Sequence, residues 1–394
     1  SMSTAAPATA AQEPFLLKNV FNRELLEGYA LVLSSVWPEF DTHRFLNRLF
    51  DEAWPALELK ERMRRISVVL REFLPPDYAE AVPILVATTR RMVAESGEKL
   101  TFEYMFIPDF VQHFGQDHYE VSVPALGEIT RWTSAEFAVR PFLLRYPDRM
   151  AAQMLVWSRH ESPMLRRLSS EGIRPRLPWG MGVPALKKDP APILPVLENL
   201  KNDPAETVRR SVANNLNDIA KDHPDLVLGI ARRWAGHSPE TDWVVRHACR
   251  GLLKKGHPEA LALFGFEQGV AGISVEALRA DAEVRIGGRL AFAFELANTT
   301  SQPCALRLEY AINYCTLSGK TSRKIFKIKE LEMNSGERAA FARAQRFQDF
   351  TTRKHYPGTH QIDILVNGKV SASAAFEVIS FLHEIGRASC RERV

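Results

Sequence analysis

Asp203-Pro204-Ala205-Glu206-Thr207-Val208-Arg209-Arg210-Ser211-Val212-Ala213 is echoed further along the chain by Ser238-Pro239-Glu240-Thr241-Asp242-Trp243-Val244-Val245-Arg246-His247-Ala248. The two prolines stand 35 residues apart, and Arg209 and Arg246 stand 37 apart. A weaker copy, Ser162-Pro163-Met164-Leu165-Arg166-Arg167-Leu168, precedes both. Each copy opens with a turn residue followed by proline, whose fixed φ suits the first position of a helix. One more amphipathic segment lies between copies, for example 225–235. A helix pair repeated at this period reads as a HEAT-like α-solenoid. Its recurring arginines then either line a groove as a stripe or bridge neighbouring repeats, and the repeat alone leaves both open.

Outward from this segment, residues 14 to about 265 read as helix after helix. Apolar residues recur every three or four positions in 57–73, 78–93 and 208–219. The pattern then changes. Alternating stretches at 283–297, 304–314, 325–331, 338–344, 360–366 and 371–379 are punctuated by Gly287-Gly288, Asn298-Thr299, Ser335-Gly336, Pro357-Gly358 and Asn367-Gly368. Short strands with such turns predict an immunoglobulin-like β-sandwich. The fold class expected is therefore multidomain, α then β. A helical-repeat domain over 14–268 is followed by an Ig-like domain over 272–380. Ser1-Met2 reads as a cloning remnant, 1–13 as a disordered tail, and 381–394 as an expression-derived tail.

At 394 residues the chain is long enough for two or three cores. No stretch approaches the roughly 20 apolar residues of a membrane span, and no basic region followed by an apolar run marks a secretion signal. Cys249, Cys304, Cys315 and Cys390 match no metal spacing, so reduced cytoplasmic thiols are expected. The net charge of +4 does not by itself imply nucleic acid, but its distribution is uneven. Arg166, Arg167, Arg174, Arg176, Lys187 and Lys188 crowd one stretch. Lys320, Arg323, Lys324, Lys327 and Lys329 crowd another with no acid among them. Such patches suit phosphate contacts, although a solvated basic face would look the same.

Three places hold groups capable of chemistry. In Trp132-Thr133-Ser134-Ala135-Glu136-Phe137-Ala138-Val139-Arg140-Pro141-Phe142, Thr133-Ser134 is read as a helix cap with Glu136 in the first turn. A helix-dipole charge is the bland account of that glutamate. In Glu171-Gly172-Ile173-Arg174-Pro175-Arg176-Leu177-Pro178-Trp179-Gly180, a carboxylate leads into a basic connector ending in a tryptophan between Pro and Gly. That tryptophan is free to present its ring face to a flat cation. The run Asn214-Asn215-Leu216-Asn217-Asp218 faces either a groove or bulk solvent.

These three motifs together, with Asn313-Tyr314-Cys315 to Gly319-Lys320 and Lys324-Ile325-Phe326-Lys327, resemble the AlkC branch of the bacterial DNA alkylation repair glycosylases, in the subgroup with a C-terminal Ig-like domain. The resemblance runs from Glu13 to about Ser380. It implies a monofunctional glycosylase that removes cationic bases such as 3-methyladenine and 3-methylcytosine from duplex DNA without deep base flipping. The matching catalytic positions are Glu136, Glu171, Trp179 and Asp218. Trp132, four residues before Glu136 and so on its helix face, is similar to part of an aromatic–carboxylate pair in the sister AlkD branch. DNA contacts are expected from Trp132, Arg166, Arg167, Arg174, Arg176, Arg209, Arg210, Asn214 and Arg246. In the Ig-like domain they are expected from Asn313, Tyr314, Lys320, Lys324 and Lys327. No cofactor and no metal is expected. The protein is expected to act as a monomer in the bacterial cytoplasm, at the nucleoid when bound to DNA.

The residue types suit that chemistry. A methylated base is already cationic, and positive charge moves to the sugar as the glycosidic bond breaks. Carboxylates aimed there stabilise the transition state more than the ground state. The rival class is a non-catalytic repeat scaffold for DNA or protein, which fold alone would favour. A metallohydrolase built on His113, His118 and Asp109 or Asp117 fits no established zinc spacing.

Overall fold

In the computed structural model, residues 16–97, 102–267, 271–349 and 354–380 are described. The expected tails over 1–13 and 381–394, and Cys390, lie outside them. The described residues form sixteen α-helices followed by eight strands. The chain divides into two compact units, residues 1–222 and 223–394.

Local chemistry sets the helix starts in the first unit. Asn22, Asp41, Asp77 and Ser162 each accept a backbone N–H of the helix that follows, filling donors the first turn leaves orphaned. Pro147, Pro163 and Pro184 open their own helices. The periodic segments become Leu59–Phe73, Tyr78–Ser96 and Glu206–Asp222. The helix of the 203–213 repeat starts two residues after its proline, because Asp203 Oδ1 caps the turn through the Ala205 N–H at 2.9 Å.

One expected helix does not form. Residues 136–139 are turns, and the helix begins only at Arg140–Arg145. Proline inside a helix clashes with the carbonyl four residues back. Pro141 sits instead in the first turn of a fresh helix, where its missing N–H and fixed φ cost nothing. Trp132 and Glu136 consequently share no helix face.

In the second unit the helices Pro224–Trp234, Pro239–Ala248, Arg250–Lys254 and Pro258–Leu263 lead into a sandwich. Its strands are β1 (Ile273–Ala280), β2 (Glu283–Arg285), β3 (Arg289–Asn298), β4 (Cys304–Cys315), β5 (Thr321–Met333), β6 (Arg338–Arg346), β7 (Gly358–Val366) and β8 (Lys369–Ile379). One sheet runs β1-β3-β6 and the other β2-β8-β7-β4-β5. Pairing is antiparallel except between β2 and β8. Leu290, Phe292, Phe294, Leu306, Leu308, Ile312, Ile362, Ile364 and Phe376 fill the space between the sheets. Each such burial contributes about 1.5–3 kcal/mol.

Strand β1 is not visible in the sequence pattern for a physical reason. A bulge between Glu276 and Arg279, with Ala277 at φ +53°, breaks the alternation that marks a strand. At the β7–β8 turn, Asn367 (φ +49°) and Gly368 (φ +78°) give the two positive φ values of a type I′ hairpin.

On β4, Glu309 is fully buried, and neither carboxylate oxygen has a hydrogen-bond partner among the described residues. Arg307 Nε lies 3.4 Å away. Burial pushes the Glu309 carboxyl above its usual 4.5, partly offset by Arg307, Lys254 and Lys327. A raised pKa means the folded state holds the proton more tightly, so stability falls as pH rises above the unfolded value. Glu309→Gln is expected to raise the urea midpoint at pH 7 and to give no gain near pH 4. A lowered midpoint at pH 7 would contradict this account.

Candidate active site

Four segments of the first unit meet through two arginines. The helix Pro163–Glu171 supplies Arg167 and Glu171, the connector after it supplies Arg174, and the helix Glu206–Asp222 supplies Ser211 and Asp218. Glu136 arrives from the turn before Pro141. Arg174 forks onto Asp218, donating from Nε to Oδ2 at 2.9 Å and from Nη2 to Oδ1 at 3.2 Å. Its third nitrogen, Nη1, reaches Glu171 Oε1 at 3.4 Å. Arg167 sits between the two glutamates, donating to Glu171 Oε2 at 3.2 Å and standing 3.5 Å from Glu136 Oε2. The Ser211 hydroxyl donates to Glu171 Oε1 at 3.0 Å, and the Arg176 backbone N–H approaches Asp218 Oδ2 at 3.4 Å.

All three carboxylates are buried. Ionised groups stay in such a place only when paired. Asp218 and Glu171 are fully bonded, whereas Glu136 Oε2 has an ion-pair neighbour and no hydrogen bond. Burial pulls the Arg174 guanidinium down, but the hydrogen bonds and charges of Asp218 and Glu171 outweigh it and leave the pKa raised.

Arg140 has no role that its sequence neighbours reveal. It is fully buried and donates to three backbone carbonyls: Met181 at 2.8 Å, Gly172 at 2.9 Å and Arg174 at 2.6 Å. Burial pushes its guanidinium down to about 10, with Asp218 pulling the other way. One side chain thus fixes both ends of the 172–181 connector. The available signal is an arginine before a helix-starting proline in the otherwise apolar stretch after Glu136.

That connector presents Trp179. Its φ of +67° is strained for a bulky residue, and the residue is 81% exposed. Gly180 packs closely beside it: an added Cβ would stand 2.9 Å from the Leu177 side chain, which would have to shift. Lys60 Nζ lies over the Trp179 ring at 5.8 Å.

The expected DNA-contact residues divide. Lys320, Lys324, Lys327, Arg176 and Arg210 are exposed. Arg176 pairs with Asp222, Arg210 with Glu206, and Lys327 with Glu330 at 3.3 Å. Asn214 and Trp132 are half-buried. Of the two readings open for the recurring arginines, a stripe or ties between repeats, their bonding is that of ties. Arg166 forks onto Asp203 of the next copy at 2.7 and 3.2 Å, and Arg209 donates to the Asp203 and Pro204 carbonyls. Arg246 pairs with Glu330 of β5 and covers the rings of Phe264 and Phe266. Arg174 is buried on carboxylates rather than offered to a phosphate.

The segments Asn313–Lys320 and Lys324–Lys327, expected to contact DNA, lie mostly on strands. Asn313 and Tyr314 belong to β4, Lys324 and Lys327 to β5, and only 316–320 turn. Alternation on a paired strand sends Tyr314 into the sandwich core, against Phe347, His355 and His360. Asn313 faces the other way and donates to Asp363 Oδ2 at 2.9 Å.

No group of His, Cys, Asp or Glu able to hold a metal occurs among the described residues. No helix among them is long and apolar enough to cross a membrane.

A helical protein with a carboxylate–arginine cluster, joined to a two-sheet sandwich, is the class these features define. Residues 274–380 match the family model described as the C-terminal Ig-like domain of the uncharacterised protein YhaZ. The chain is 45% identical over 363 residues to the protein named "Uncharacterized protein YhaZ" of Bacillus subtilis strain 168, covering 92% of this chain and 99% of that one. It also resembles the solved Pseudomonas fluorescens alkylpurine DNA glycosylase AlkC bound to DNA containing an abasic-site analogue. There the TM-score is 0.86 and the identity 38%, over 92% of this chain and 99% of that one. The chain belongs to the AlkC family, in the subgroup with a C-terminal Ig-like domain.

Replacing Arg140 by Met removes three carbonyl hydrogen bonds at once. The expected loss is about 2–4 kcal/mol of unfolding free energy, read by urea denaturation. An unchanged midpoint would remove Arg140 from its assigned place in the fold.

Proposed function

We propose that the protein is a monofunctional DNA glycosylase of alkylation repair that hydrolyses the glycosidic bond of cationic bases, 3-methyladenine and 3-methylcytosine, in duplex DNA. The observation that carries this reading is the gathering of Glu136, Glu171 and Asp218 around Arg167 and Arg174, with an exposed tryptophan on the connector that bears Arg174. The Pseudomonas relative was solved on DNA carrying an abasic-site analogue, which resembles the product of such a reaction.

In this reaction the C1′–N bond breaks with its electron pair going to the base, whose positive charge is thereby neutralised. The sugar gains oxocarbenium character, which a nearby carboxylate stabilises. Water then forms the C1′–O bond and gives its proton to a carboxylate. Glu136 is assigned that proton, because it alone of the three has an oxygen without a hydrogen bond. Asp218 and Glu171, held by Arg174, supply a fixed negative field. Trp179 meets the cationic base or sugar, and cation–π attraction contributes roughly 0.5–2 kcal/mol. The bond is cut without drawing the base into a deep pocket beforehand. A monomer acting in the cytoplasm suffices, and neither metal nor cofactor takes part.

A second reading, a DNA-binding scaffold whose carboxylates only hold the fold together, is favoured by the saturated bonding of Glu171 and Asp218. Single-turnover kinetics separates the two. Glu136→Gln and Asp218→Asn are each expected to slow excision on the order of 10²–10³-fold with the DNA Kd near normal, Asp218→Asn also lowering the urea midpoint because it leaves the Arg174 charge unpaired. Equal losses of affinity and rate would support the scaffold.

The exposed lysines Lys320, Lys324 and Lys327 at and beyond the β4–β5 turn are assigned to phosphates. Replacing all three by Ala is expected to weaken binding to every duplex sequence alike. It should also flatten the salt dependence by about 0.9 for each phosphate no longer neutralised. An unaltered salt slope would detach this face from DNA.

A further inference from the structure

An open cavity of about 720 Å³ lies beside Trp179 in the first unit. Its volume is in the range of small-molecule pockets, roughly 300–1,000 Å³. Phe102, Met105, Phe137, Trp179 and Met181 give it aromatic and thioether walls, which favour a flat, polarisable ring. The segment 134–138 is shared between two sites. Ser134, Phe137 and Ala138 line the cavity, while Glu136 is directed to Arg167.

The polar groups of the lining differ in how far they are occupied. Asp109 is buried and saturated, taking both prongs of Arg64 at 3.1 Å and the Ser67 hydroxyl at 2.8 Å. Arg65 is paired with Asp51, and Glu61 closes a capping box with Glu58. Gln112, by contrast, is a half-buried lining residue whose backbone carbonyl accepts from Gln116 and whose side-chain amide makes no hydrogen bond to the described residues. An amide offers one donor and one acceptor side by side. Adenine offers the matching pair at N7 and N6, whereas guanine presents two acceptors at N7 and O6. Methylation at N3 leaves that adenine edge intact, and methylation of guanine at N7 removes an acceptor.

We propose that this cavity binds the adenine ring after it has left the sugar, with the Gln112 amide on its N6/N7 edge and Trp179 among its walls. The proposal rests on the glycosylase reading for the source of the base. It adds a product site that is distinct from the carboxylate cluster and selects adenine over guanine.

Equilibrium dialysis of the intact protein against free 3-methyladenine, and separately against free 7-methylguanine, tests it without catalysis. Saturable binding of 3-methyladenine is expected, at least about tenfold tighter than 7-methylguanine. Gln112→Leu should abolish that preference, and so should Gln112→Glu, which keeps the shape and loses the donor. Absence of saturable binding, or binding indifferent to both substitutions, overturns the proposal. Base release from alkylated DNA by the same proteins separates the two claims. Normal excision without base binding overturns the cavity assignment and leaves the glycosylase reading intact. Base binding without excision supports the cavity assignment and counts against the glycosylase reading.

Discussion

The buried fork of Arg174 on Asp218 is the interaction on which the rest of the site depends. It joins the connector after one helix to the middle of another, with the carboxylate almost wholly out of solvent. Removing either partner from such a pair leaves an uncompensated charge, which typically costs about 3–5 kcal/mol. The third nitrogen of Arg174 reaches Glu171, and Arg167 carries the chain of charges on to Glu136. Three negative groups are thereby held close together by two positive ones. This differs from an ordinary surface network, because the field inside is weakly screened.

Arg140 makes that geometry rigid from behind. Its three carbonyl acceptors belong to the same connector that bears Arg174 and Trp179. Tryptophan at positive φ with an exposed ring is unfavourable twice over, in backbone strain and in hydration. Such a residue persists where the surrounding structure over-determines it, and here Arg140 and the packing of Gly180 on Leu177 do so. Strain held this way suits a residue whose partner is a ligand.

Much of the architecture was legible because periodicity and turn chemistry are local. Pro163, Asp203-Pro204 and Ser238-Pro239 mark helix starts within two residues, and Asn367-Gly368 marks a hairpin. The failures came where one residue overrode the local pattern. A fresh helix starting at Arg140-Pro141 replaces the one expected around Glu136, and the bulge at Ala277 hides β1. Glu136, Glu171 and Asp218 were singled out by motif, and the structure brings them together. Which arginines are available to DNA was not legible, because pairing such as Arg166 with Asp203 depends on contacts distant in sequence. Tyr314 shows the same limit: its register on β4, not its neighbours in sequence, sends it into the core.

The carboxylate–arginine cluster is proposed to break glycosidic bonds. The most direct test is release of free base from duplex DNA containing 3-methyladenine, with excess unaltered protein and chromatographic detection of the base. Free 3-methyladenine is expected to appear with time, together with a matching number of abasic sites. Salt-sensitive binding to that duplex with no base released would contradict the proposal.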